Sequence, residues 1–164
     1  MVETVRYLCV ALLDGIQRLF LWESDDETDD RVALDEAGFL LCFPSEFAAR
    51  AATQAESRPV SSEAPSVYDL DAIEAWCRST ATVTDCRRLL NAWNLFGDLP
   101  RNDNLCASAD ARNNSLYDKL FAGCNLPAMT PPGEEYVPMW TSAEIAALKR
   151  LLLLGLAEFR ARLR

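Results

Sequence analysis

The stretch VRYLCVALL, residues 5–13, runs straight into Asp14-Gly15 and then into QRLFLWES. No other feature of the chain restricts its fold as much. The first segment is rich in β-branched, aromatic and aliphatic residues, which suits a buried strand. Asp-Gly is the preferred two-residue connection between antiparallel strands, because such a turn needs φ > 0 and glycine accepts it without a steric cost. In the second segment Leu19 and Leu21 alternate with Phe20 and Trp22, so both faces are apolar. A further turn is expected at Asp35-Glu36-Ala37-Gly38. FLLCF, Phe39 to Phe43, then reads as a third strand, giving an antiparallel meander.

Beyond the meander the periodicity changes. Ser45 is a suitable N-cap for a short helix in SEFAARAATQ, with Phe47, Ala48, Ala51 and Ala52 on one face. The stretch ESRPVSSEAPS, residues 56–66, is a linker by composition. Asp69 can cap a helix that turns Leu70, Ile73, Trp76 and Cys77 inward. The pattern Thr82-Val83-Thr84-Asp85 opens another, striped by Val83, Cys86, Leu89, Leu90, Trp93 and Phe96 and ended by Gly97 or Pro100. Residues 101–113 read as a polar loop. Ser115 starts a short helix that Gly123 closes, and the proline-rich residues 125–139 form a strap. Thr141 and Glu144 make a capping box for a last helix, with Trp140 and Ile145 placed as a hydrophobic staple. Its buried stripe is Ile145, Leu148, Leu152, Leu156 and Phe159, and Arg160, Arg162 and Arg164 complement the helix dipole. The expected class is α+β: an N-terminal antiparallel three-stranded meander followed by a mainly helical C-terminal half packed on it. We read residues 1–164 as one domain, with 1–56 as meander plus short helix and 67–164 as the helical part.

Composition narrows the function. With 164 residues the chain can bury a real core. No apolar run reaches the roughly 18 residues of a membrane span. The N-terminal MVETVRYLCVALLDG carries an early Glu3 and no A-x-A site, so it reads as strand rather than signal peptide, and a cytoplasmic protein is expected. The six cysteines, Cys9, Cys42, Cys77, Cys86, Cys106 and Cys124, include no C-x-x-C pair and suit buried small hydrophobes in a reducing compartment. The chain has no histidine, which removes the commonest general base and metal ligand. Residues 1–82 carry 16 acids and 6 bases, a net of −10; residues 83–164 carry 9 acids and 10 bases, a net of +1. That split opposes nucleic-acid binding and favours a basic partner or plain solubility.

The acidic half peaks at WESDDETDD, residues 22–30, which holds Glu23, Asp25, Asp26, Glu27, Asp29 and Asp30. It falls in the second connection of the expected meander. A calcium loop counted from Asp25 would need glycine at its sixth position and finds Asp30, so the metal pattern fits poorly. A solvated loop blunting a strand edge and a face for a basic protein both remain open. On the second reading these six carboxylates are the expected partner-binding residues, with no cofactor or metal.

NAWNLFGDLP, residues 91–100, places Asn91, Asn94 and Asp98 on one side of a helix and its aromatic residues on another. A carboxylate-dependent enzyme, metal-assisted or not, would use Asp98, Asp118 or Glu134. An adaptor with some other protein partner is a third reading.

From this region to the last helix the chain resembles a known group. The residues that carry the likeness are Trp93-Asn94-Leu95-Phe96 with Asp98, Tyr117-Asp118-Lys119-Leu120-Phe121, Asn125-Leu126-Pro127, and Trp140. They resemble small bacterial immunity proteins encoded beside polymorphic or contact-dependent growth-inhibition toxins. The likeness covers roughly the C-terminal half and, more loosely, the opening meander. It implies a cytosolic, non-enzymatic protein that binds a cognate toxin domain, in some cases a basic nuclease, and covers its active site.

Overall fold

The computed structural model describes residues 4–25, 27, 28, 30–100 and 111–164, with Ala111, Arg112 and Asn113 described by backbone alone. The first strand, β1, is Val5–Leu13 and the second, β2, is Ile16–Ser24. They pair antiparallel in one unbroken register from Val5 opposite Ser24 to Leu13 opposite Ile16. Asp14 (φ 56°) and Gly15 (φ 71°) both take the left-handed conformation, as a type I′ turn requires. The turn is tied down by the Asp71 carboxylate, which accepts from the Asp14 N–H at 2.7 Å and the Gly15 N–H at 2.9 Å.

The third strand differs from the expected FLLCF segment. The outer edge of β2 is covered in two pieces: β3, Arg31–Val32, and β4, Cys42–Phe43, both antiparallel to β2. Between them the chain folds back on itself: the Leu41 amide donates to the Ala33 carbonyl (3.1 Å) and the Asp35 amide to the Phe39 carbonyl (2.7 Å). The expected turn is present there: Asp35 accepts from the amides of Ala37 and Phe39, and Gly38 takes φ 84°. Leu40 bridges Leu34 antiparallel, and its outward-facing amide donates to the carbonyl of Arg162 (2.7 Å). Of the FLLCF segment only Cys42 and Phe43 pair with β2, because Phe39 to Leu41 pair back on Ala33 to Asp35.

The sheet is mixed rather than a purely antiparallel three-stranded meander. A further strand, β5, Ser66–Asp69, lies parallel to β1, with Cys9 opposite Ser66 and Leu12 opposite Asp69. The strand order is β3-β2-β1-β5, with β4 beside β2. The polar segment before β5 is not a free linker. Val60 bridges Arg6, and the Ser61 amide donates to the Arg6 carbonyl at 2.7 Å. Such an edge needs backbone pairing but little apolar side chain, so its serine- and proline-rich composition conceals it.

Helices cover both faces of the sheet. The helix α1, Glu46–Ala55, is capped by Ser45 as expected (Ala48 N–H to Oγ, 3.1 Å). It lies on the side where Leu8, Leu21, Ala33 and Ala49 form a small cluster. Its inward positions are Ala49 and Thr53, not the Phe47, Ala48, Ala51, Ala52 face, and Phe47 is 83% exposed. Small side chains let the helix approach the strands closely.

The opposite face carries the main core. There Cys9, Ala11, Leu13 and Phe20 meet residues of α2 (Leu70–Arg78), α3 (Cys86–Gly97), α4 (Ala111–Gly123) and α5 (Ser142–Ala161). Asp69 caps α2 and Asp85 caps α3, each carboxylate accepting from the amide three residues on. Val83 lies before α3 and is exposed, so the buried row of that helix is Cys86, Leu89, Leu90, Ala92 and Leu95. The helix α4 begins at Ala111, inside the segment read as a polar loop; residues 101–110 of that loop lie outside the described residues. The expected stripe of α5 is buried from Ile145 to Phe159. Each of its larger side chains contributes about 1.5–3 kcal/mol of burial. Both halves of its capping box are present. No helix among the described residues is long and apolar enough to cross a membrane.

Candidate functional site

The acidic run leaves the sheet at the end of β2 and returns at β3, so rigid strands fix both of its ends. Its first carboxylate, Glu23, faces the α1 side of the sheet and is buried. One oxygen accepts from Arg6 Nε at 2.8 Å, the other from Arg31 Nε at 3.0 Å. Arg6 also reaches Glu56 at the end of α1, at 2.9 Å. Glu23 is therefore an anchor that joins β1, β2 and β3, and the Arg6–Glu56 bond extends the network to α1.

Asp25 shapes the connection itself. It accepts from the amides of Glu27 (3.0 Å) and Thr28 (2.6 Å) and from the Thr28 hydroxyl (2.6 Å). The hydroxyl bond, then the amide bonds, hold its carboxyl below the usual aspartate range. This is the local turn chemistry of a side chain replacing backbone partners. Glu27 and Asp30 remain, both exposed and without an ion pair among the described residues. Asp26 and Asp29 lie outside the described residues. The four described carboxylates thus divide by role: Glu23 anchors, Asp25 folds the loop, and Glu27 and Asp30 are exposed.

Arg6 and Arg31 were not singled out from the sequence, although a signal for Arg6 existed. A two-residue turn at Asp14-Gly15 sets the hairpin register, and that register puts Arg6 opposite Glu23.

The residues of the enzyme reading are scattered. Asp98 is the C-cap of α3; one carboxylate oxygen accepts from the Trp22 indole N–H at 2.9 Å, and its carbonyl accepts from the Val32 amide at 3.0 Å. It ties α3 to β2 and β3. Asp118, on α4, and Glu134, in the strap, are exposed, and neither side chain bonds the other. Among the described residues no group of three or more cysteine, aspartate or glutamate side chains is placed to hold a metal ion.

The residues carrying the immunity-protein likeness build contacts within the helical half. Trp93 meets Tyr117 edge to face at 5.7 Å, and the Tyr117 hydroxyl donates to Asn94 at 3.0 Å. Lys119 pairs with Glu144 at 2.9 Å and sits over the Trp140 ring. Asn125 (φ 49°) clamps the strap: its side-chain amide donates to the Tyr136 carbonyl at 2.9 Å, and its oxygen accepts from the Tyr136 N–H at 2.7 Å. Asn91 and Asn94 flank the same helix, and none of these contacts creates a reactive pair.

Comparison of the chain with protein-family models, with curated proteins and with solved structures gave no match.

Proposed function

We propose that this chain is a bacterial immunity protein, which binds a cognate toxin domain in the cytoplasm and covers its active site. The acidic connection between β2 and β3 leads the approach to a basic surface, such as that of a nuclease. The observation that carries this reading is the division of roles within the run. Glu23 is locked between two arginines and Asp25 folds the loop, so Glu27 and Asp30 project from a fixed platform without a countercharge among the described residues. Preorganised charge of one sign speeds capture of an opposite surface and costs little ordering on binding. The net of −10 over residues 1–82 extends the same field.

The test uses the C-terminal domain of whatever protein the reading frame immediately upstream encodes. Stopped-flow association is compared for the native chain and for Asp26→Asn/Glu27→Gln/Asp29→Asn/Asp30→Asn. Association should slow by about tenfold, with a flatter salt dependence and a dissociation rate nearly unchanged. Unchanged association would remove the acidic connection from the interface. Absence of any complex with that domain would overturn the immunity reading itself.

A further inference from the structure

The other end of the sheet is built differently. There β5 is the last strand, and no backbone hydrogen bond joins its outer edge to another described segment. Val67 on this edge is 69% exposed. Beside the edge runs a cleft of about 340 Å³ between β5, the start of α2 and the first turns of α3. Its wall on α3 is formed by Asp85, Arg87, Arg88 and Asn91.

The charge of this wall is out of place by local rules. The first turn of α3 holds no acid and two arginines, although the positive end of a helix dipole favours carboxylates there. The two carboxylates lining the cleft are already engaged. Asp69 accepts from the Ala72 amide, while Asp85 accepts from the Arg88 amide and lies 3.7 Å from the Arg88 guanidinium. Arg87 is exposed and forms no ion pair among the described residues. Arg88 is offset by the N-cap carboxylate of Asp85, whereas Arg87 opposes the dipole of its own helix with no ion pair among the described residues.

We infer that this cleft receives an extended polypeptide segment bearing an acidic side chain. The segment adds to the sheet beside β5, its backbone bonds to the strand's open edge, and its carboxylate meets Arg87 and Arg88. Strand addition uses main-chain hydrogen bonds for affinity and flanking side chains for selection. A guanidinium is the natural partner for a carboxylate held close to a backbone. The inference is independent of the toxin reading: it uses the opposite edge of the sheet and the opposite sign of charge.

The probe is the peptide acetyl-Thr-Val-Glu-Val-Glu-Val-Thr-amide, titrated into the full chain and followed by amide-resolved NMR. Two control peptides carry lysine for glutamate, or N-methyl groups on alternate residues. The variant Arg87→Glu/Arg88→Glu keeps the fold, because acids in the first turn of α3 suit its dipole; circular dichroism verifies this. Shifts confined to residues 66–69 and 87–91, abolished by N-methylation and weakened about tenfold or more in the variant, are the expected result. No shifts there, equal binding of the lysine peptide, or an unaffected variant would overturn the inference. So would concentration-dependent shifts of the same amides without peptide, which would make a second copy of the chain the occupant.

Discussion

Arg6 donates from its Nε to Glu23 at 2.8 Å, and both side chains are buried on the α1 side of the sheet. They face each other across the first hairpin, at the register set by Asp14-Gly15. The pair sits directly below the point where the acidic connection leaves β2. A buried carboxylate without a cation would be strongly unfavourable there. With Arg6 and Arg31 in place, the same carboxylate fixes the base of a loop whose other charges repel one another.

Removing one member of this pair should cost far more than removing its exposed neighbour. Glu23→Ala leaves the Arg6 guanidinium buried with only Glu56 beside it, and should lower stability by about 3 kcal/mol. Glu56→Ala removes the solvent-exposed arm and should cost less than about 1 kcal/mol. The double change Arg6→Leu/Glu23→Leu should be milder than Glu23→Ala, because no buried charge is left unpaired. Urea unfolding of the three variants gives the ranking; a Glu56→Ala loss equal to that of Glu23→Ala would contradict it.

A second ion network gives a pH signature. Arg160 joins Asp14, at the hairpin turn, to Glu74 on α2, and Arg78 shares Glu74. The Arg160 bond, then the Arg78 bond, lower the Glu74 carboxyl from 4.5 to about 2. A carboxylate depressed in the folded state contributes stability that is fully present above its unfolded pKa and disappears as pH falls through the folded one. The melting temperature should therefore drop between about pH 4.5 and 2, and Glu74→Gln should flatten that part of the profile. Identical calorimetric profiles for the native chain and this variant would show that Glu74 is not linked to folding.

The parts legible in the sequence were those encoded locally. The hairpin, the caps at Ser45, Asp69 and Thr141, and the stripe of α5 each depend on residues within a few positions of one another. What escaped was encoded at long range. β5 has four residues on a solvent edge, so hydrophobic alternation has no room to mark it. The third strand is split because Phe39 to Leu41 pair with Ala33 to Asp35, while the Leu40 amide donates to the carbonyl of Arg162, far along the chain. The sequence pattern puts Phe47 on the apolar face of α1, but the residues that the helix buries are Ala49 and Thr53.

For the candidate site, the run itself was plain in the sequence but its internal division was not. Six carboxylates look alike until the pairing of β1 with β2 and of β2 with β3 places cations against one of them. The C-terminal arginines were legible as dipole partners, yet their main work is between elements. Arg162 donates to the carbonyls of Gly38 and Pro100, and Arg164 pairs with Asp35. The cleft beside β5 could not be anticipated without that strand.

The strap should open when its clamp is cut. Asn125→Ala loses both bonds to Tyr136 and also strains the left-handed φ of 49°. Asn125→Gly loses the same bonds but accommodates the backbone. Both should speed amide exchange and proteolysis over residues 125–140, with a global loss of about 1–2 kcal/mol for alanine and less for glycine. Exchange rates in the strap that match those of the native chain would show that the clamp does not hold it.

Two glycines in helices should respond in opposite ways to alanine. A Cβ on Gly155 would lie 2.2 Å from Phe96 Cδ2 and 2.5 Å from its Cγ, so α5 touches the ring of α3 through a bare backbone. The same ring meets Phe159 edge to face at 6.5 Å, which limits where it can move. Alanine favours a helix over glycine by about 1 kcal/mol, but the overlap should outweigh that gain and leave a net loss of about 1–3 kcal/mol. At Gly97 a Cβ meets nothing within 4 Å, so Gly97→Ala should be neutral or stabilise by a few tenths of a kcal/mol. Pairing Gly155→Ala with Phe96→Leu should recover part of the loss, since a smaller flexible side chain can yield where the ring cannot. Chemical denaturation of the three variants tests the contact: a stabilising Gly155→Ala would mean that α3 and α5 do not approach as closely as the Phe96 ring requires.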